Sequence, residues 1–514
     1  MKQNKRLFTV IAILATGGLF VYFIARLYIF FSNDYNIFNF LFAFLLLFAE
    51  SHSILHSLGF ITGAIRLNRP GVNYHRHVKL NLNSLPEVTI LVPARNEPLD
   101  ILELTFITLV SLNYNNKKII FLDGSDQEYQ TANKKLADKY KITYFHPPHT
   151  PKSKAEIINQ YLPQISSKYL TVFDADQNPM PEFLLETVGL AEFSKKIGFI
   201  QTPQLYSNFL TSPVARGAAL QQSIFYESVC EAKSLNQAMF CCGTNFLMRT
   251  EVLKKIGGFD ENSVTEDFAT SVKIHSLGYR SIYYNHVRVF GMAPETLPAY
   301  LKQQFRWSAG SIGVLRRLFI DLFLGRLKIS LSQIWEYFLS ATYYFVGWSF
   351  FILMICPALF LLFNVPSYFA SPYLYLGTFI PYYFLTLVTF YSTMKKRHYK
   401  IRDIFTGIIM GSLSYPVLIM STTTALLGKK VTFQVTDKGK TGKLPFWRLW
   451  PWTSMILINF LAIANGLTRL SENYYAIGIN IVWCLYHSVL LLNIFTLNTS
   501  PKMVEKTLNK YLNI

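Results

Sequence analysis

Two long apolar runs open the chain: residues 7–31, after Lys2, Lys5 and Arg6, and residues 36–62, whose only ionisable residues are Glu50, His52 and His56. Arg66, Arg69, Arg76 and Lys79 follow. Runs of this length predict transmembrane helices, and basic flanks place the N-terminus and the next domain in the cytoplasm. No small-residue cleavage site follows the first run, so it reads as a retained anchor rather than a cleaved signal.

Between residues 85 and 295 the pattern changes. Val88–Val92, Lys118–Leu122 and Tyr169–Phe173 are short apolar runs that end in polar residues, and helical patterns lie between them. Ile282–Tyr284 reads as a further strand. Strand–helix alternation with polar residues at the strand C-termini predicts an open α/β sheet that binds ligands along that edge.

After residue 298 the apolar blocks return, at 333–362, 371–394, 403–427, 447–467 and 475–497. If the middle block spanned, one of its basic flanks would lie outside: Lys395, Lys396, Arg397 and Lys400 before it, or Lys429, Lys430, Lys438, Lys440 and Lys443 after it. Each basic residue contributes about 1 kcal/mol at an anionic cytoplasmic leaflet. The block is therefore expected to be interfacial or re-entrant. The expected organisation has two N-terminal spans in 1–65, a cytoplasmic domain over 80–295 and amphipathic interface helices over 296–330. A four-span region over 331–514 follows, with a loop at 429–443. Interface residues Arg306, Arg316, Arg317, Arg326 and Lys328 stand among leucines and aromatics, a pattern that suits a membrane surface.

The chain of 514 residues is 51% hydrophobic and carries a net charge of +19. The basic residues flank apolar blocks and form no nucleic-acid motif, so nucleic acid is excluded as a partner and membrane lipid is expected. Its five cysteines contain no CxxC pair, which excludes a zinc or disulfide framework of that kind.

Five acidic or basic signals stand out. Asp174-x-Asp176 follows a strand, and two carboxylates on such a turn suit a hard divalent cation and its diphosphate. Asp123 ends the preceding strand, where a carboxylate can accept hydrogen bonds from a nucleoside; Lys154 can neutralise phosphate. Thr265-Glu266-Asp267 precedes an amphipathic helix, as a capping residue with acidic first-turn residues would; Asp267 can also serve as a base there. Gln303-x-x-Arg306-Trp307 supplies a fork for phosphate oxygens and an indole that can stack on a sugar face. Taken singly, a solvated loop, a turn, a helix cap or an aromatic-belt tryptophan explains each of them. Their order, from strand ends to a membrane face, does not suit chance.

In that order the chain resembles the processive family 2 glycosyltransferases of the cellulose synthase type. The resemblance covers about residues 85–445. It runs through Val92-Pro-Ala-Arg-Asn-Glu97, Asp123, Lys154-Ala155…Asn159, Asp174-x-Asp176, Gln201-Thr-Pro203, Phe240–Thr244, Thr265–Asp267 and Gln303–Trp307 to Phe433-Gln-Val-Thr-Asp-Lys438. It implies an α/β GT-A (Rossmann-like) cytoplasmic domain inserted in an α-helical transmembrane bundle, a UDP-sugar donor and Mg²⁺ or Mn²⁺. By resemblance Asp123, Lys154, Asp174 and Gln303 bind the donor, and Asp176 binds the metal. Glu266, Asp267 and Arg306 are catalytic, with Asp267 the general base and Arg306 on the diphosphate. Trp307, Cys242, Gly243 and Thr244 meet the acceptor, the last three on the finger helix or its adjoining turn. Phe433, Thr436 and Lys438 belong to a gating loop over the donor.

The activity implied is processive, inverting polymerisation of a UDP-sugar, with UDP-glucose the leading donor, into a β-linked polysaccharide translocated across the plasma membrane. The chain differs from bacterial cellulose synthase subunits in its two N-terminal spans and in the short stretch after residue 497, where a fused cyclic-di-GMP domain is not expected. This compact form also resembles single-protein capsule synthases of Gram-positive bacteria. Alternatives are a hyaluronan- or chitin-type synthase, a transferase placing one sugar on a lipid carrier, and an inactive scaffold or export subunit. Linkage and oligomeric state have no signal in the sequence.

Overall fold

The computed structural model describes residues 5–69, 84–286, 289–368, 370–395, 399–429 and 442–499. Two helices come first, α1 (Lys5–Phe31) and α2 (Ile37–Leu67). The α/β region follows: β1 (Val88–Ala94), α3 (Leu99–Val110), β2 (Lys117–Asp123), α4 (Gln127–Lys139), β3 (Thr143–Phe145), α5 (Lys154–Tyr161), β4 (Tyr169–Val172), β5 (Asn178–Pro179) and α6 (Phe183–Glu192). It continues with β6 (Ile197–Gln201), β7 (Gln204–Tyr206), α7 (Pro213–Ile224), α8 (Cys230–Leu235), β8 (Phe246–Arg249), α9 (Thr250–Lys255), α10 (Glu266–Ser276), β9 (Arg280–Tyr283) and β10 (Val289–Gly291). A second helical region closes the chain: α11 (Leu297–Phe323), α12 (Leu331–Thr342), α13 (Val346–Phe363), α14 (Pro372–Lys395), α15 (Ile401–Leu413), α16 (Tyr415–Leu426), α17 (Trp450–Thr468) and α18 (Tyr474–Leu497).

The main sheet has the order β3-β2-β1-β4-β8-β6-β9. β1 pairs in parallel with β2 and β4, whereas β8 runs antiparallel to both β4 and β6. The expected strands at 88, 118, 169 and 282 all form. The sheet is mixed rather than wholly parallel because β8 enters between β4 and β6. Val88, Ile90 and Val92 pack into a core on one face with Phe106 and Phe121. Leu91, Leu122, Leu170 and Val172 pack into a core on the other. Continuous apolar runs are what a strand covered on both faces requires. A smaller sheet, β5-β10-β7, stands beside the main one.

Among the described residues, five helices are long and apolar enough to cross a membrane: Lys5–Phe31, Ile37–Leu67, Leu331–Phe363 (α12 continuing through a turn into α13), Pro372–Lys395 and Tyr474–Leu497. Helices α15 and α16, which cover the block expected to be interfacial or re-entrant, pass that test only as a pair bent by 50°. That is the geometry of a broken span or a re-entrant loop. The 19-residue α17 is not among the five; Asn459 and Asn465 dilute its apolar run. Where the sequence predicts several interface helices over 296–330, one 27-residue helix, α11, runs to Phe323.

Buried charges tie these regions together. Arg26 of α1 pairs with Glu50 of α2, which also accepts a 2.6 Å hydrogen bond from Tyr22. Lys233 of α8 donates to the carboxylate of Glu336 on α12 (3.0 Å) and to its backbone carbonyl (2.9 Å). Lys233 is 2% exposed, so breaking this pair would leave an uncompensated buried charge. It holds the α/β region in register with the first helix of the candidate span Leu331–Phe363.

Candidate active site

At the C-terminal edge of β1 and β4 lies a cavity of about 320 Å³. Pro93 and Ala94 end β1 at its rim, Gly124 follows β2, and Asp174 and Asp176 follow β4. Lys154, Cys242, Gly243, Thr244, Glu266, Asp267, Gln303, Arg306 and Trp307 complete the same wall. The candidate catalytic, donor, acceptor and metal residues of five separate segments therefore meet at one place.

Each segment is positioned by local chemistry. Ser153 caps α5 by accepting from the Glu156 amide (3.1 Å), and this starts the helix so that Lys154 sits in its first turn. The Lys154 ammonium pairs with Asp174 and donates to the Gly243 carbonyl at 2.7 Å. Burial alone would lower its pKa, but Asp174, Glu266 and Asp267 together outweigh burial and raise it. Lys154 is thus a fixed cation. The Asp174 amide donates to Thr244 Oγ1 at 3.0 Å, which joins the two turns.

The 242–245 turn is pinned from below. Gln201 accepts from the Cys242 amide (2.8 Å) and donates to the Thr244 carbonyl (2.9 Å). Gly243 has φ +84°, a conformation that favours glycine. A Cβ there would lie 3.0 Å from Asp267 Oδ2, so glycine also lets the turn approach the carboxylate. Cys241 donates its amide to Ser271 Oγ (2.8 Å), and Phe240 stands edge-on to Phe268 at 4.7 Å. The Phe240–Thr244 segment is therefore the turn adjoining α10, and α10 itself begins at Glu266.

Thr265 occupies the capping position of α10 but makes no side-chain cap bond. Ser263 Oγ instead accepts from the Thr265 amide at 3.2 Å. The expected Thr265 cap is thus replaced by an upstream serine turn. Asp267 Oδ1 accepts from the Phe268 amide at 2.8 Å. Burial, reinforced by the Glu266 charge, pushes the Asp267 carboxyl up to about 7. Burial also raises Glu266, against the lowering effects of Lys154 and Arg306. A carboxyl poised near neutrality suits a general base.

Gln303, Arg306 and Trp307 fall at i, i+3 and i+4 on α11, so they share one face and all line the cavity. Gly310, one turn on, faces Thr265: a Cβ there would lie 2.4 Å from Thr265 Cγ2. That close approach sets the distance between α11 and the start of α10. Tyr344, in the turn between α12 and α13, lies within electrostatic reach of Asp267 and Cys242. Tyr344 belongs to the candidate span Leu331–Phe363, so the cavity stands close to that span.

Asp123 is not among the lining residues. It is fully buried, and its carboxylate accepts from the Ser125 amide (3.0 Å), Asn133 Nδ2 (3.0 Å) and Tyr144 OH (2.9 Å). Its neighbour Gly124 lines the cavity in its place. Phe433, Thr436 and Lys438 lie outside the described residues. Gln177, Gln204 and Glu295, which the sequence reading does not single out, also line the cavity. Gln177 follows Asp176 directly, and Gly291 leaves room for it, since a Cβ at Gly291 would lie 2.0 Å from Gln177 Nε2. Neither a glutamine nor an isolated glutamate belongs to a motif that would mark it.

Asp174 and Asp176 are the two carboxylates that the β4 edge offers to a cation. Asp176 is 7% exposed and accepts from the Met292 amide at 3.3 Å. Among the described residues no group of three or more His, Cys, Asp or Glu side chains could hold a metal. Two hard oxygen donors beside an open cavity fit Mg²⁺ or Mn²⁺ with its remaining ligands drawn from bound phosphates.

Residues 86–310 match the family profile described as glycosyltransferase like family 2. The chain is 25% identical to a UDP-forming cellulose synthase catalytic subunit of Pseudomonas fluorescens, over 87% of this chain and 61% of that protein. It is 27% identical to cellulose synthase 1 of Komagataeibacter xylinus, over 80% of this chain and 27% of that protein. A UDP-forming subunit of Dictyostelium discoideum is 34% identical over 51% of this chain and 25% of its own length. The chain thus spans less than two thirds of these relatives. Among solved structures, a mannosyltransferase of Pyrobaculum calidifontis in complex with GDP-Man and Mn²⁺ superposes with a TM-score of 0.53 at 16% identity, over 76% of this chain and all of that one. That likeness concerns the fold, which is GT-A-like. The stretch that matches the family 2 glycosyltransferase profile thus lies between candidate membrane helices, in a sequence similar over most of its length to cellulose synthase catalytic subunits.

Proposed function

We propose that this protein is a processive, inverting glycosyltransferase that polymerises a UDP-sugar, UDP-glucose in the leading reading, into a β-linked polysaccharide and passes it across the plasma membrane. The observation that carries this reading is the convergence of Asp174-x-Asp176, Asp267 and the Gln303–Trp307 face on one cavity beside a candidate span. The similarity to UDP-forming cellulose synthases supports the donor and the polymeric product. The basic flanks of the apolar blocks support a cytoplasmic α/β domain with multiple spans around it.

In this mechanism Asp267 takes the proton of an acceptor hydroxyl as that oxygen attacks C1 of the donor sugar. The C1–O bond to UDP breaks as the new glycosidic bond forms, and configuration inverts in one displacement. Arg306 and Lys154 stabilise the negative charge that develops on departing UDP. Asp176, with Asp174, would hold the divalent metal, which when bound neutralises diphosphate charge. Gly243 and Cys242 bound the acceptor side of the cavity, and Trp307 offers a flat apolar face to its sugar ring. Burial, reinforced by Glu266, keeps the pKa of Asp267 high enough for the proton transfer. Tyr343, Tyr344, Phe345 and Trp348 lie where α12 turns into α13 within a candidate span and are the candidate lining of a polymer path. Phe433, Thr436 and Lys438 are proposed to close over the donor.

The test is synthesis by purified protein given single UDP-sugars with Mg²⁺ or Mn²⁺, followed by sizing and linkage analysis. A long β-linked polymer from one donor is expected. A single sugar on a lipid acceptor would replace this reading with a non-processive transferase, and absence of UDP release would point to a scaffold. Incorporation of N-acetylated or uronic sugars would instead assign a hyaluronan- or chitin-type product.

A further inference from the structure

A second cavity, of about 430 Å³, lies away from the proposed active site, where the α/β region meets the start of α12. Lys196, Arg280 and Lys328 line it, and no carboxylate does. Lys196 precedes β6 and Arg280 opens β9; the Arg280 amide donates to the Lys196 carbonyl at 2.8 Å. Parallel pairing of those strands therefore brings the two cations side by side. Lys328 joins them from the segment between α11 and α12. The ion pairs among the described residues leave these three side chains without a carboxylate partner. Three like charges around one cleft repel each other, and a cleft of one sign concentrates the opposite ion.

The position of the cleft narrows the kind of anion. Leu331–Phe363 forms a candidate span of 33 residues, roughly 50 Å of helix against a hydrocarbon core of about 30 Å. The helix outreaches that core, and the end that carries Ser332 and Gln333 of the cleft is the end held to the α/β region through Glu336 and Tyr337. The helix ends on either side of Lys328 expose Phe319, Phe323, Leu324 and Leu331, with Phe323 91% and Leu331 84% exposed. An apolar ridge next to basic residues is the pattern of a surface seated in the membrane interface. A soluble anion would have no use for that ridge, whereas a lipid engages both features, its phosphate in the cleft and its chains along the ridge.

We propose that this cleft binds the phosphate of an acidic phospholipid headgroup. The inference does not depend on the sugar-transfer reading. It does place a lipid against the proposed catalytic helix, because His275 of α10 forms part of the wall. His275 is held by Tyr337 OH at 2.7 Å and Ser281 Oγ at 2.9 Å, so it is a fixed wall, two turns of helix beyond Asp267.

Native mass spectrometry of the full chain in a neutral detergent tests the proposal, with phosphatidylglycerol and phosphatidylcholine as probes. The parent should retain phosphatidylglycerol in preference. The Lys196→Gln/Arg280→Gln/Lys328→Gln variant should bind it on the order of a hundredfold more weakly. The charge-keeping Lys196→Arg/Arg280→Lys/Lys328→Arg variant should bind like the parent. All three positions are exposed, so folding should survive; Lys328→Glu alone gives a second reading with the least disturbance. Unchanged retention in a monodisperse triple variant or in Lys328→Glu overturns the proposal. Inorganic phosphate binding to lipid-stripped protein, lost in the triple variant, with no preference between the two lipids, overturns it in favour of a soluble phosphate.

Discussion

Gly310 of α11 packs so closely on Thr265 that a methyl group on its Cα would lie 2.4 Å from Thr265 Cγ2. The contact joins the helix carrying Arg306 and Trp307 to the turn that presents Glu266 and Asp267. It is a spacer: any side chain there must push the proposed leaving-group clamp away from the proposed base.

Gly310→Ala should therefore lower UDP release from donor and acceptor by about tenfold to a hundredfold, since displacements near 1 Å cost about that much in rate. Donor affinity should change less, because Lys154, Asp174 and Asp176 lie on other elements. Steady-state kinetics with separate binding of UDP by calorimetry checks this. An unaltered rate would mean that the interface relaxes without moving either motif.

Asp267→Asn should lower polymer synthesis by about 10²–10⁴-fold, while UDP binding persists. Turnover close to the parent would remove Asp267 from the role of base.

The pH profile follows from the same carboxyl. Only its ionised form can accept a proton, so kcat/KM should rise with pH through about 7, where burial and Glu266 set its pKa. Stability should move the other way. The folded pKa lies above the unfolded value of about 4, so the fold favours the neutral acid. That stabilisation is complete below about pH 4 and is lost as pH rises through about 7. Thermal melts of donor-free, metal-free protein should show Asp267→Asn above the parent at alkaline pH, with the difference vanishing in acid.

Chelation should stop synthesis, and Mg²⁺ or Mn²⁺ should restore it. Asp176→Asn should raise the metal concentration required by at least about tenfold, measured as half-maximal UDP release. A metal-independent rate would remove Asp176 from the metal role.

Much of the α/β region is legible in the order of its residues. The strands ending at Ala94, Asp123 and Val172 are apolar runs without alternation, because both faces of the sheet are covered. The helix face of Gln303, Arg306 and Trp307 follows from spacing alone. Asp123 is not legible in the same way: a strand-end carboxylate has the same sequence whether it faces solvent or is saturated by Ser125, Asn133 and Tyr144. Nor is the antiparallel course of β8, since the direction of a buried strand leaves no mark on its composition.

Local periodicity and charge along the chain thus determined the apolar blocks, the α/β region between them and the types of residue available for chemistry, because those properties depend on near neighbours. Only the tertiary structure decided which of them share a cavity. Lys154 and Gly243 are 89 positions apart, yet their bonded atoms are separated by 2.7 Å; Gly310 and Thr265 are likewise distant in the chain and in contact in the fold. Such approaches depend on how elements pack, and the glycines that permit them carry no side chain to announce it. The basic cleft at Lys196, Arg280 and Lys328 is of the same kind: three ordinary surface cations in sequence, gathered by strand pairing and a helix junction.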